Sequence, residues 1–386
     1  MGVFIVEVDK HINALLNSPC ARRAELWKPM GDKLVKCNVC ERHCIIPPNR
    51  RGMCGARYNK DGELFVLTYG NISSISNNPM SKKPFFNYFP NEYALTVGSW
   101  GCNFVCPWCQ NFEISKVWAR SCQYISPSKF IKIMQQVGST GTSFSFNEPS
   151  VTLFEYSLDV MPLARANGWF NTYVTNGYMT LEAIDMLVAH GLDAANIDIK
   201  GCSGVIEKWQ GADVNIVWRN AKILKQRGVH IEITTLVIPT VNDDEECLRS
   251  IAERVKKELG PDTPWHVTRY FAAYKAYERG LPPETPVETV EKAYQIGKEE
   301  GLLYVYVGNV WPTHPYENTY CPNCGNLLIK RIGLKAQVLI EQPICPNCGE
   351  LIHVVIRDKN GRVQDWRKYQ HMRLRINTRD TPSSER

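Results

Sequence analysis

The sequence contains no apolar run approaching the ~18 residues that a membrane-spanning helix needs, so no membrane association is expected. Its first residues, MGVFIVEVDKH, lack the long apolar core of a secretory signal, and the expected location is cytoplasmic. Gly2 is not followed by a serine or threonine at position six, which excludes the myristoylation pattern. No repeat and no low-complexity segment stands out. A large excess of one charge is absent: the formal balance is +6 over 386 residues, mild for the chain as a whole but not evenly spread. What remains is an ordinary globular composition, long enough for one large domain with small satellites.

Cysteine is not scarce. There are fifteen, many for a chain without an export signal. In a reducing compartment clustered cysteines read as metal sites rather than disulfides. Eleven fall in three groups, whereas Cys20, Cys122, Cys202 and Cys247 are scattered and read as packing residues.

The most informative group is Cys102, Cys106 and Cys109 in GCNFVCPWCQN, directly after the strand-like run Tyr93 to Gly98. Three thiolates with gaps of three and two can hold three irons of a [4Fe–4S] cube and leave the fourth open to a ligand. Structural zinc needs four closed ligands, and no fourth follows nearby. Gly101, Asn103 and Pro107 make the segment a turn, which disfavours three inert buried cysteines.

Three segments follow from the residue pattern: a turn-rich, Cys-containing region over 1–90, an alternation of apolar runs and helical patterns over 91–312, and a C-terminal part divided into 313–355 and a basic tail over 356–386. In the middle segment the expected strands are Tyr93–Gly98, Gly141–Phe146, Asn171–Thr175, Ala194–Ile199, His230–Ile238, Trp265–Tyr270 and Leu303–Val307. Helices are expected at Lys129–Val137, Leu181–His190, Val214–Arg227, from Asp243 to Leu259, and up to Glu300, with Ser, Thr or Asp at several starts and Gly at most ends. Such alternation predicts an α/β fold, a parallel barrel or part-barrel whose chemistry sits at the C-terminal ends of its strands.

The segments YALTVGSWGCNFVCPWCQN, SFSFNEPS, YVTNGYM, ANIDIK, EITTLVIPTVND, PWHVTRY, YVYVGN and TYCPNCG occur in this order. Together they resemble the radical S-adenosylmethionine (radical SAM) proteins of the AmmeMemoRadiSam system, relatives of the pyruvate formate-lyase activating enzymes. The resemblance implies a partial (β/α)6 TIM-like barrel with a Cys-rich N-terminal module and a C-terminal zinc ribbon. It implies a catalytic [4Fe–4S] cluster on Cys102, Cys106 and Cys109, with Trp108 as the aromatic before the last ligand. It further implies that Asn147 and Glu148 take the S-adenosylmethionine amino group, a carboxylate suiting an ammonium. Asn176 would bond ribose hydroxyls or the carboxylate, and Lys200, beside Asp198, would hold the methionyl carboxylate. His266 and Arg269 fall near the site, although their spacing of three does not put both on one strand face. Val174 stands where activating enzymes have an aspartate for a monovalent cation, which puts such a cation in doubt.

The second group, Cys321, Cys324, Cys345 and Cys348, forms two CPNCG turns at the spacing of a tetrahedral zinc ribbon. The third, Cys37, Cys40, Cys44 and Cys54, suffices for zinc or for an auxiliary iron–sulfur cluster, and His43 could replace one ligand. The Arg50–Gly55 return favours structural zinc. Between Arg357 and Arg379 lie eight Lys or Arg residues with Trp366 and Tyr369 among them, a composition suited to RNA or to an acidic protein surface. The expected function is reductive cleavage of S-adenosylmethionine, fed by a ferredoxin- or flavodoxin-type reductant, with hydrogen abstraction from a substrate the sequence does not name. Two alternatives are an activase that places a glycyl radical on a partner protein and a non-catalytic zinc scaffold that binds RNA or protein.

Overall fold

Seven strands of one sheet run parallel because each of the first six is followed by a helix that returns the chain across the sheet's outer face. The computed structural model describes residues 11–311 and 313–370; the N-terminal signal and myristoylation readings, and His371, Arg373, Arg375 and Arg379, lie outside them. The central sheet opens with β1 (Ser74–Pro79), antiparallel to β2 (Tyr93–Gly98). It continues through β3 (Gly141–Phe144), β4 (Phe170–Thr175), β5 (Ala194–Asp198), β6 (His230–Val237), β7 (Trp265–Arg269) and β8 (Val305–Gly308) in sequential order. Strands β2 to β8 are parallel throughout. This is an α/β barrel of six β/α units closed by one further strand and preceded by an antiparallel edge.

The crossover helices are α1 (Pro127–Val137), α2 (Phe154–Ala166), α3 (Leu181–Ala189), α4 (Val214–Gln226), α5 (Glu245–Arg254) and α6 (Val287–Glu299). Four start on a side-chain cap: Ser126, Thr180, Asp213 and Asp244 each accept a backbone N–H of the first turn. α2 was not foreseen. Pro162 lies inside it, and Phe154, Glu155, Tyr156, Ser157, Leu158, Val160 and Met161 are all buried, so no apolar stripe marks it.

An irregular segment, residues 84–89, closes the N-terminal end of the barrel. The backbone N–H groups of Phe86 and Asn87 donate to the two oxygens of Glu232 on β6, each at 2.9 Å. His230 and His266 hydrogen-bond to the same carboxylate at 3.0 and 2.6 Å. Asn196 Nδ2 donates to Pro84 O at 2.8 Å and Tyr306 Oη to Asn87 Oδ1 at 2.6 Å. A buried carboxylate is tolerated here because four donors surround it.

Three short N-terminal strands, Trp27–Pro29, Val35–Cys37 and Ile45–Ile46, form one small sheet, and a second is made by Arg22–Arg23, Arg57–Lys60 and Glu63–Val66. After the barrel, strands Thr319–Tyr320, Leu327–Ile332 and Lys335–Val338 form the ribbon sheet. Leu328, Ile329, Ile340, Ile352 and Val354 share one apolar cluster with Phe86, Tyr304 and Tyr306. Arg331 is buried with them: Nη2 donates to Phe86 O at 2.6 Å, Nη1 to Glu317 O at 2.7 Å, and the guanidinium lies 4.0 Å from the Phe86 ring centroid.

Two expectations are corrected. The segment read as a basic tail from 356 is folded over its described residues: Val355–Arg357 pairs with Val363–Asp365, Val355 bridges Tyr88, and Arg367 Nη1 donates to Gly228 O at 2.7 Å. The apolar residues Val354 to Ile356 and the ring of Trp366 against His353 hold it down, and its charge count hid them. The four scattered cysteines are not separate packing residues either: Cys20 is bonded to Cys122 and Cys202 to Cys247. Spacings of 102 and 45 residues gave no local signal.

Candidate active site and metal centres

The loop carrying Cys102, Cys106 and Cys109 leaves the C-terminal end of β2, the end where parallel barrels hold their chemistry. Gly101 opens it with φ +97°, and a Cβ there would come within 2.0 Å of Cys54 O, so only glycine fits. The loop is pinned from β3 by Asn147, whose Oδ1 accepts Ser99 N–H at 3.0 Å and whose Nδ2 donates to Gly101 O at 2.8 Å. From β4, Asn176 Nδ2 donates to Asn103 Oδ1 at 2.8 Å. Lys116 Nζ donates to Phe104 O at 2.6 Å. Burial pushes the Cys102 thiol up to about 12 and the Cys106 thiol up to about 11, with Lys116 pulling both the other way.

Glu148 is buried between β3 and β4. Its Oε1 accepts from Thr175 Oγ1 at 2.6 Å and Ser150 N at 3.1 Å, and its Oε2 accepts Asn176 N–H at 2.7 Å. Burial raises its pKa against those hydrogen bonds. Asn147 and Glu148 thus spend most of their polar capacity tying strand ends together. Asp198 and Lys200, following β5, form an ion pair of 2.6 Å. Burial alone would lower the Lys200 ammonium, but Asp198 above all, with Cys106 and Cys109 after it, raises it.

The remaining expected residues have these surroundings. Trp108 is buried against Trp209, ring centroids 5.6 Å apart, in a cluster with Ile238, Val241 and Tyr270. His266 belongs to the Glu232 network at the barrel floor, its ring edge-on to Phe86. Arg269 ends β7, pairs with Glu284 at 2.9 Å and donates through Nε to Thr285 O. A strand alternates faces, so a spacing of three divides these two.

Lys83 and Lys116 were not foreseen. Lys83 is 4% exposed, and its Nζ lies 4.4 Å from the ring centroid of Phe146, the residue between β3 and Asn147. Its ammonium makes no hydrogen bond or ion pair with a described residue, and burial, with Lys82 second, lowers its pKa to about 7. No spacing rule could have found it, because the segment that carries it inward is irregular.

In the C-terminal knuckles Cys321 and Cys348 sulfurs are 3.6 Å apart, as are those of Cys324 and Cys345. Among the described residues these four are the one group of three or more Cys, His, Asp or Glu ligand atoms that all lie within 4.8 Å of one another. Zinc–sulfur bonds of ~2.3 Å in a tetrahedron put sulfurs about 3.8 Å apart, so this set fits a zinc ribbon. Gly325 and Gly349, at φ +72° and +74°, let Gly325 N–H return to Cys321 O and Gly349 N–H to Cys345 O. The thiols of Cys102, Cys106 and Cys109 do not all lie within that distance of one another.

A family model described as the radical SAM superfamily matches residues 98–251. An uncharacterized protein of Methanocaldococcus jannaschii is 39% identical over 320 residues, covering 82% of this chain and 94% of its own. The chain belongs to the radical SAM superfamily. Among solved structures, a domain of a pyruvate-formate lyase-activating enzyme from Bacteroides vulgatus aligns with TM-score 0.37 and 18% identity, over 44% of this chain and all of its own. A radical SAM methyltransferase from Sphaerobacter thermophilus aligns with TM-score 0.43 and 10% identity, over 78% and 82%. In this radical SAM chain no helix among the described residues is long and apolar enough to cross a membrane.

Proposed function

We propose that this chain cleaves S-adenosylmethionine reductively at a [4Fe–4S] cluster held by Cys102, Cys106 and Cys109. When bound there the cluster supplies an electron to the sulfonium, giving methionine and a 5′-deoxyadenosyl radical that removes a hydrogen atom from substrate. The observation that supports this reading best is the donor set itself: three thiols on the loop after the first parallel strand. In this reading Lys200 exchanges part of its pairing with Asp198 for the methionyl carboxylate, an ammonium–carboxylate contact strengthened by burial. Asn147, Glu148 and Asn176 act by holding the thiol loop and the ends of β3 and β4 rigid. The barrel excludes water from the radical. A one-electron donor protein of ferredoxin or flavodoxin type supplies the electron. The four knuckle thiols bind zinc. The substrate is macromolecular in this reading, with RNA first, because Arg373, Arg375 and Arg379 follow the folded Arg357–Lys368 segment.

The test is anaerobic reconstitution of Cys102→Ala/Cys106→Ala/Cys109→Ala beside the wild type. The variant should lose about four irons per chain and all 5′-deoxyadenosine formation under dithionite. Undiminished 5′-deoxyadenosine from the variant would refute the assignment.

A further inference from the structure

Cys37, Cys40, Cys44 and Cys54 come from separate places in the N-terminal module, yet all four line one small cavity. Cys37 ends the strand Val35–Cys37, and its N–H is bonded to Cys44 O at 2.9 Å. Cys40 lies in the turn between them, closed by His43 N–H to Cys40 O at 3.1 Å. Cys54 arrives on the return that Gly52 closes onto Arg57 O. His43 is not a fifth candidate: its Nδ1 faces Asn38 at 3.3 Å and its Nε2 faces Glu41 at 3.1 Å.

Two features separate this site from the zinc ribbon of the same chain. First, no three of its thiols lie within 4.8 Å of one another, whereas all four ribbon thiols do. The N-terminal set shares its wider spread with Cys102, Cys106 and Cys109. Tetrahedral zinc needs its sulfurs about 3.8 Å apart; a cube seats each thiolate on its own iron, farther from the others. Second, the wall carries unpartnered donors. Arg57 is 1% exposed, with Nε and Nη2 lacking hydrogen-bond partners while Nη1 is held by Glu155. Asn103 Nδ2 on the same wall is also unpartnered. Inorganic sulfides and thiolates of a cluster accept such hydrogen bonds, and its anionic charge answers a buried guanidinium.

We propose that Cys37, Cys40, Cys44 and Cys54 bind a second, redox-active [4Fe–4S] cluster rather than zinc. It adjoins the first site. Cys54 O touches Gly101, the residue before Cys102, and Asn103 lines the N-terminal cavity from inside the Cys102–Cys109 loop. Arg42 ties the two together, its Nε donating to Asn103 O at 3.0 Å. The proposal does not depend on the assignment of Cys102, Cys106 and Cys109.

The experiment counts metals on the full chain after anaerobic reconstitution with iron and sulfide. Wild type should hold about eight irons and the Cys102→Ala/Cys106→Ala/Cys109→Ala variant about four, each with about one zinc in the ribbon. The dithionite-reduced variant should still give the paramagnetic signal of a [4Fe–4S]1+ cluster, and this arm leaves the N-terminal module intact. Cys40→Ser/Cys54→Ser should lose about four irons while retaining the other signal. About four irons and two zincs in wild type, with an iron-free triple variant, would overturn the proposal and leave the catalytic assignment standing. About four irons in both proteins would support the N-terminal cluster and overturn the catalytic one.

Discussion

Lys83 is placed where an ammonium is costly, and the cost has a pH signature. Its pKa of about 7 in the folded chain lies below the ordinary 10.5, so between these values the unfolded state binds the extra proton and folding stability rises with pH. Below about 7 the native chain must bury the charge. Lys83→Met removes the burden, so its stability relative to wild type should be greatest below pH 7 and should shrink towards pH 10. Paired urea titrations across that range measure the difference; a gap that does not change with pH would refute the account. Glu232 works in the opposite sense. Burial would raise its pKa, but hydrogen bonds from His230 and His266 hold it at about 2, below the ordinary 4.5. Its contribution is complete above about 4.5 and is lost as pH falls through about 2. Glu232→Gln should therefore be less stable than wild type at neutral pH, and the difference should close between pH 4.5 and 2. A difference that persists undiminished at pH 2 would show that the carboxylate is not the group responsible.

At the scale of elements, what could be read from the sequence depended on whether the signal was local. β2 runs from Tyr93 to Gly98 as its apolar run predicts, and the other parallel strands differ by a few residues at their ends. Helices with a Ser, Thr or Asp cap were legible for the same reason. α2, buried on all sides, was not. Nor was the floor segment, whose backbone donors find their acceptor on Glu232, more than 140 residues away. The thiol groups were visible through spacing alone. The inward tie of Glu148 was invisible, because its partners Thr175 and Asn176 belong to the next strand. The ribbon shows the same contrast. Its knuckles are local, but its apolar face is shared with Tyr304, Tyr306 and Phe86. Cys321→Ala/Cys345→Ala should accordingly raise amide hydrogen exchange in 319–340 and also in 84–89. Exchange confined to the ribbon would mean that the two fold independently.

For the molecule as a whole, the folded C-terminal hairpin decides what a deletion can remove. Ile352, Val354, Val355 and Ile356 are buried. At ~1.5–3 kcal/mol for each such side chain, their loss rivals the total stability of about 5–15 kcal/mol typical of a domain. Truncation after Glu350 should thus abolish cooperative folding, whereas truncation after Gln370 should leave the melting temperature nearly unchanged. The shorter deletion is the one that can test RNA binding. Full-length protein should lose affinity with salt at a slope steeper by about 0.7 for each phosphate the removed arginines neutralise on a single strand. Equal slopes for the two proteins would remove the RNA proposal.

Arg331 reaches from the ribbon to the carbonyl of Phe86, beside the amide that Glu232 holds. If the ribbon retains that reach only when metallated, free zinc enters the folding equilibrium of the barrel floor as a ligand. Each tenfold rise in its activity above the dissociation constant then adds about 1.4 kcal/mol to the stability of the native chain. The supply of one metal would set the thermal margin of an apparatus whose chemistry belongs to another.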